Sequence, residues 1–403
     1  MKKVLLLLSV ISIFSCKTEI KNKILKPGSY RATLEVNKTE VLPFVFEVKA
    51  DNTLHIFNAE EIIEDNTISY RNDSLFINFP VYEGYVAAVF EGDNIRGQYI
   101  KESLDRIVPF HAEFDKGTRF ESETAATENI EDTWEMLFTE DDGSTFIAKG
   151  IFKQEKNIIT GTIRTTTGDY RFLEGVISAE TAKFSAFDGA HAFLFTAKVT
   201  EAGMEGVFYS GNHYEATFTA KRNATYELPH EDTLTFLNEG YDSLAFSFPD
   251  ANGNIVSLTD DQFNDKVVIV QLMGTWCPNC LEESQYYKQY QEANKDKDVA
   301  FVALAFEYAK TEAKAFAGIK RLQDRIGMEY PILLAQYGSS DKAKAQEKLP
   351  MLNHVLSYPT TIFIDKNGNV RKIHTGFNGA ATGDKFVSFK NEFEGFIEGL
   401  LGE

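Results

Sequence analysis

The sequence predicts an all-β antiparallel barrel or sandwich domain followed by an α/β domain, and three observations carry that expectation. Apolar and polar side chains alternate with period two through many short runs between 29 and 220, which suits antiparallel sheets with one wet face. Beyond about residue 240 the rhythm becomes strand, helix, strand, helix. Within that second part, Cys277-Pro278-Asn279-Cys280 lies between an apolar run and a helical one, so two thiols stand at a strand-to-helix corner.

The chain opens with Lys2 and Lys3, then an apolar stretch over 4–14 that is too short to span a bilayer as a mature helix. It runs into Ser15-Cys16 and resembles a bacterial lipoprotein signal peptide over 1–16. That resemblance implies lipidation of Cys16 and a membrane tether through the lipid. Ile13 and Phe14 stand where the usual signal has Leu and a small residue. The plainer alternative is a secretory signal with an incidental cysteine. Residues 17–28, Lys-rich and ending at Pro27-Gly28, read as a tether.

From 29 to 220, strand-like runs such as 30–36 and 44–48 are separated by turn signals at Asp51-Asn52, Asp142-Gly143, Gly168-Asp169 and Gly211-Asn212. A three-strand pattern beginning at Ser74 returns at Lys183, a weak internal duplication. Each copy would be a half-domain, the two joining as one barrel or packing as a sandwich. Segment 115–132 is the expected connection and 221–242 the expected linker to the α/β domain over 243–403. In that domain strands are expected at Val267–Met273, Val299–Phe306, 332–335, 360–365 and Val370–Thr375, with Asn367-Gly368 as a hairpin turn. Helices should follow Cys277, cover 311–325 up to Gly327, and cover 385–401. In the last, Phe386, Phe389, Phe393, Phe396, Ile397 and Leu400 recur at helical spacing and should pack on the sheet.

With 403 residues, 43% of them hydrophobic, and 33 Phe, the chain can bury two or three cores. A net charge of −19 argues against nucleic acid or an anionic membrane surface as the main partner. Its three cysteines are Cys16, Cys277 and Cys280. If Cys16 carries lipid, none is left for a structural disulfide, and a single C-x-x-C pair in an exported protein serves exchange or metal binding. Two sulfurs at that spacing can close a small disulfide ring and reopen it. The first would sit at a helix N-terminus, where unpaired N–H groups favour a thiolate. Pro278 suits the first helical position because its missing N–H would have had no partner there.

Trp276-Cys277-Pro278-Asn279-Cys280, the extended lead-in from Phe248 to Leu258, an additional strand–helix unit, and Tyr358-Pro359-Thr360-Thr361 occur in the right order. On these residues the segment from about 243 to 401 resembles the TlpA/ResA type of exported thiol-disulfide oxidoreductase, which implies an α/β thioredoxin fold; the β-rich region lies outside the resemblance. The resemblance implies that Cys277 is the exposed attacking sulfur and Cys280 the resolving one. It implies a cis bond at Pro359 that presents the Tyr358 backbone to an extended substrate, with Trp276 and Thr360 at the same edge. The alternative for Pro359 is a trans proline opening an edge strand. Gln271 occupies the place where thioredoxins proper carry an acid. The ResA-like proton acceptor maps instead onto Glu283, on the same helical face as Cys280; a surface Glu complementing the helix dipole is the alternative. Glu282 is expected to be a solvated first-turn carboxylate.

These readings together predict a lipid-anchored, periplasm-facing disulfide reductase that needs no cofactor beyond its own Cys277–Cys280 disulfide. Its partners would be protein disulfides and, by resemblance, a membrane thiol shuttle of the DsbD/CcdA type, with the outer membrane as its site. Three other readings stand beside it. A metal site needs about four ligands, and the seven His are scattered. A thiol peroxidase of the peroxiredoxin kind would carry P-x-x-x-T-x-x-C, which the residues before Cys277 do not match. Lastly, the β-rich half would be a ligand- or protein-binding module served by an accessory redox domain. Tyr82, Tyr85, Phe90 and Tyr99 would then line a pocket, with core packing as their plainer role.

Overall fold

A computed structural model describes residues 23–79 and 81–403, apart from the side chains at 65 and 66. Cys16 and the expected signal segment lie outside the described residues, as does the first half of the tether.

The β-rich region forms two closed barrels. In the first, eight antiparallel strands run from Gly28–Glu35 to Arg106–Phe114, and the last pairs with the first from Tyr30↔Phe114 to Leu34↔Phe110. The period-two pattern turns Tyr30, Ala32 and Leu34 inward from the first strand and Phe110 and Ala112 inward from the last, which lies beside it. Gly97 allows a close approach in the wall, because a Cβ there would sit 2.0 Å from the Ala87 carbonyl oxygen.

The second barrel begins at Asp132–Glu140 and ends at Tyr214–Arg222, and those two strands pair. Pairing of Thr145–Glu155 with Ile158–Thr165 completes the ring. The two-residue strand Gly168–Asp169 folds back on Ile158–Thr165 as a hairpin that projects from the wall. Two half-domains joining as one barrel or packing as a sandwich were expected, whereas each copy closes into a barrel of its own. The repeated pattern marks only three strands of each copy, whereas each copy contributes eight, enough to close a ring whose interior side chains fill.

The barrels pack side by side. Phe187, Leu194 and Tyr209 of the second join the apolar cluster of the first, and Phe187 stacks on Phe44 at 4.2 Å. Arg119, in the connection, is buried between them and donates to the Ser185 carbonyl (2.9 Å) and to Asn58 Oδ1 (3.1 Å). Of the four aromatic residues considered as a pocket lining, Tyr99 enters the first core and donates to the Gly189 carbonyl, and Phe90 and Tyr82 pack on that core. Tyr82 also packs against the α/β core, and Tyr85 donates to Glu102.

The α/β domain has a five-stranded sheet in the order Ile332–Gln336, Val299–Phe306, Val267–Met273, Thr360–Ile364, Val370–Thr375. The first three are parallel, and the last two run antiparallel to their neighbours. Val267–Met273 is buried along its whole length because helices cover both faces. Thr311 caps the helix Glu312–Ile326 and Gly327 ends it in the left-handed conformation, φ 66°. Phe389, Phe393, Ile397 and Leu400 of the helix Asp384–Leu401 are buried against the sheet. A further short helix, Lys342–Lys348, is polar and lacks the apolar periodicity that would reveal it. Lys221 and Arg222, placed in the expected linker, belong to the last barrel strand. The chain after them is anchored on the α/β domain, with Leu237 bridging Leu352 and His374 bonded to Asp232 at 2.7 Å.

Candidate active site

The helix Pro278–Ala293 starts directly after Cys277, whose Sγ accepts the Cys280 N–H at 3.2 Å and so caps the helix. Pro278 occupies the first turn, as its fixed φ and missing donor favour. Across the site the Tyr358–Pro359 bond is cis, and the Cys277 thiol lies 3.5 Å from the Tyr358 carbonyl oxygen. Tyr358 stacks on Phe306 at 5.3 Å and meets the edge of Trp276 at 5.9 Å. The Trp276 indole N–H donates to the Phe306 carbonyl at 3.0 Å, which fixes the ring against the dithiol turn.

Both thiols are free and buried, Cys277 at 6% exposure and Cys280 at 0%. The expected exposed sulfur is thus a correction: Cys277 shares an apolar cluster with Val81, and Tyr82 packs on the same cluster, both from the first barrel. Burial, together with the neighbouring Cys277 and Glu283, pushes the Cys280 thiol well above its ordinary range.

Glu283 is fully buried and held by three donors. Gln271 Nε2 reaches Oε2 at 2.7 Å, while the Tyr287 hydroxyl (2.9 Å) and the Thr361 hydroxyl (3.0 Å) reach Oε1. Burial raises its carboxyl to about 7, against the lowering effect of those bonds. Gln271 also contacts the Cys280 carbonyl at 3.4 Å and accepts the Ser284 hydroxyl at 2.9 Å. The residue that cannot titrate therefore orients the one that can. Thr360, expected at the substrate edge, is buried with its hydroxyl on the Ser357 carbonyl at 2.8 Å, so it shapes the turn before Pro359 and presents nothing outward. Glu282 is not solvated: it accepts the Ala380 N–H at 2.6 Å and pairs with Arg171 of the second barrel at 3.5 Å.

The roles of three residues at the site escaped the sequence reading. Glu307 is buried, its carboxyl raised to about 7 by burial, and it accepts the Thr275 N–H (2.7 Å) and hydroxyl (2.8 Å) just before the dithiol. Asn279, inside the motif, donates to the carbonyls of Phe377 (3.1 Å) and Asp169 (3.3 Å). Tyr287 stands one helical turn beyond Glu283, a spacing that could have revealed it as a partner. Among the described residues, no group of three or more His, Cys, Asp or Glu is placed to hold a metal ion.

Residues 239–385 match the family model described as Redoxin. The chain is 29% identical over 140 residues to the Thioredoxin-like protein YneN of Bacillus subtilis (strain 168), covering 35% of this chain and 73% of that protein. It is 30% identical over 131 residues to the Thiol-disulfide oxidoreductase ResA of Geobacillus thermodenitrificans (strain NG80-2), covering 32% of this chain and 66% of that protein. The C-terminal region is a Redoxin domain, and its relatives carry the names ResA and thioredoxin-like. A solved thiol-disulfide oxidoreductase from Bacteroides fragilis NCTC 9343 aligns with 37% of this chain and 99% of its own, at 16% identity and a TM-score of 0.28. The redoxin domain carries the dithiol, and the matched relatives cover about a third of the chain.

Proposed function

We propose that the chain is an exported, membrane-tethered oxidoreductase that reduces protein disulfides through Cys277 and Cys280. The observation that supports this best is the placement of Cys277 Sγ, on the helix N-terminus and beside the Tyr358 carbonyl at the cis-proline. Cys277 as thiolate attacks one sulfur of a substrate disulfide, forming a mixed disulfide and releasing one substrate thiolate, which takes up a proton. Glu283, within electrostatic reach of Cys280, receives the Cys280 proton. The Cys280 thiolate then attacks Cys277 Sγ, expelling the second substrate sulfur as a thiolate that takes up a proton and leaving the Cys277–Cys280 disulfide. Two electrons have passed to the substrate, and a dithiol donor must return them. A membrane thiol shuttle of the DsbD/CcdA type is the proposed donor. The signal segment over 1–16, with lipid on Cys16, is the proposed tether to the periplasmic side of the outer membrane. Redox titration of the Cys277–Cys280 pair tests the direction of flow, since ~30 mV shifts this two-electron equilibrium tenfold. A reducing potential near that of thioredoxin is expected. A strongly oxidising one overturns the reductase assignment.

A further inference from the structure

The edge where an extended client would dock is already filled by another part of the same chain. The hairpin of the second barrel around Thr167 and Gly168 reaches across the dithiol and meets the three segments that surround it. Asn279, between the two cysteines, donates to the Asp169 carbonyl at 3.3 Å. Ser357, just before the cis bond, donates its hydroxyl to the Thr167 carbonyl at 2.9 Å. On the third side, Gly168 forms a parallel bridge with Phe377, and Asp169 Oδ2 accepts the Gly379 N–H at 2.7 Å. The fit is tight on both faces. A Cβ on Gly168 would lie 2.6 Å from Asn279 Nδ2 and 2.9 Å from the Phe377 carbonyl oxygen, and a Cβ on Gly376 would lie 2.8 Å from the Thr167 backbone. Gly168 also has φ +142°, which an L side chain rarely adopts.

We propose that the segment Thr167-Gly168-Asp169 is a built-in occupant of the client groove, and that a protein disulfide reaches Cys277 only by displacing it. The inference rests on the thiol-exchange reading above. It adds to the cover that Val81 and Tyr82 of the first barrel already give the buried Cys277, which a domain open to macromolecular substrates would not need. The groove also fits a client of stated chemistry: an extended strand with a glycine opposite Asn279, able to replace one parallel bridge. Apparent affinity for such a client is the intrinsic affinity multiplied by the fraction of molecules in which the hairpin is withdrawn.

Gly168→Val in the full-length reduced chain tests this. Reduction of insulin and of the small aromatic disulfide DTNB would be measured side by side, with alkylation of Cys277 by iodoacetamide followed by mass. Losing roughly one hydrogen bond's worth of docking should raise the insulin-to-DTNB ratio of kcat/KM about tenfold, and Cys277 should alkylate faster. A folded variant with an unchanged or lower ratio overturns the proposal. Should the variant fail to fold, hydrogen exchange in the Cys280→Ser chain joined to a one-cysteine peptide through a mixed disulfide gives an independent answer. Amides over 165–169 should exchange faster than in the free chain, and unchanged protection there overturns it. Failure of the exchange reading looks different: the unaltered chain would then reduce neither disulfide.

Discussion

Glu283 concentrates the chemistry that one residue can test. Its carboxyl is raised to about 7 by burial, so in the folded chain it keeps its proton far above the ordinary value of 4.5. Between those two values the folded state binds more protons than the unfolded one. The associated stability is fully present below about pH 4.5 and is lost as pH rises through about 7. Glu283→Gln should remove a pH-dependent loss of about 3 kcal/mol between acidic and alkaline conditions, measured by denaturant unfolding across that range. The amide is accommodated because the Tyr287 and Thr361 hydroxyls, now donors to Oε1, can turn to accept. The same variant should slow resolution of a mixed disulfide by at least ~10-fold and erase a rate inflection near neutrality. An unchanged pH–rate profile would remove Glu283 from the proton path. Glu283 was legible because it lies three residues beyond Cys280, within one helical face. Glu307 was not, since its bond to Thr275 joins positions 32 apart and no local pattern announces it.

At the scale of elements, the α/β half was readable and the β half only partly so. Val267–Met273 and Val299–Phe306 begin and end where the apolar runs do, because strands buried on both faces leave unbroken hydrophobic signals. The phenylalanine stripe of Asp384–Leu401 was likewise plain from its spacing. Phe393, 1% exposed, packs on Tyr287 at 5.0 Å and on Phe363 at 5.5 Å. Phe393→Ala should therefore cost about 3–5 kcal/mol, read as a lower urea midpoint. A cost within experimental error would mean that this helix is not part of the core. Barrel closure was harder to foresee. Alternation reveals that strands exist, but closure depends on pairings such as Tyr30↔Phe114, which only long-range register decides. Gly168-Asp169 was legible as a turn, whereas its destination beside Asn279 was not.

For the whole molecule, Arg171 joins all three bodies. It pairs with Glu61 of the first barrel, with Asp188 of its own barrel at 3.7 Å, and with Glu282 on the dithiol helix at 3.5 Å. Asp169, whose carboxyl burial raises, lies two residues away and accepts the Arg171 backbone N–H at 2.8 Å. Removing the guanidinium would leave buried carboxylates without their cation, so Arg171→Ala should cost about 3–5 kcal/mol. In calorimetry the redox domain should then unfold apart from the barrels, and an unaltered thermogram would show that this junction is not what holds them. The account as a whole stands on sulfur exchange at the dithiol. Insulin reduction by the full-length chain, compared with its Cys277→Ser variant under the same dithiothreitol supply, tests that most directly. The expected result is a fall to the uncatalysed rate. Reduction by the variant as fast as by the unaltered chain would contradict the account.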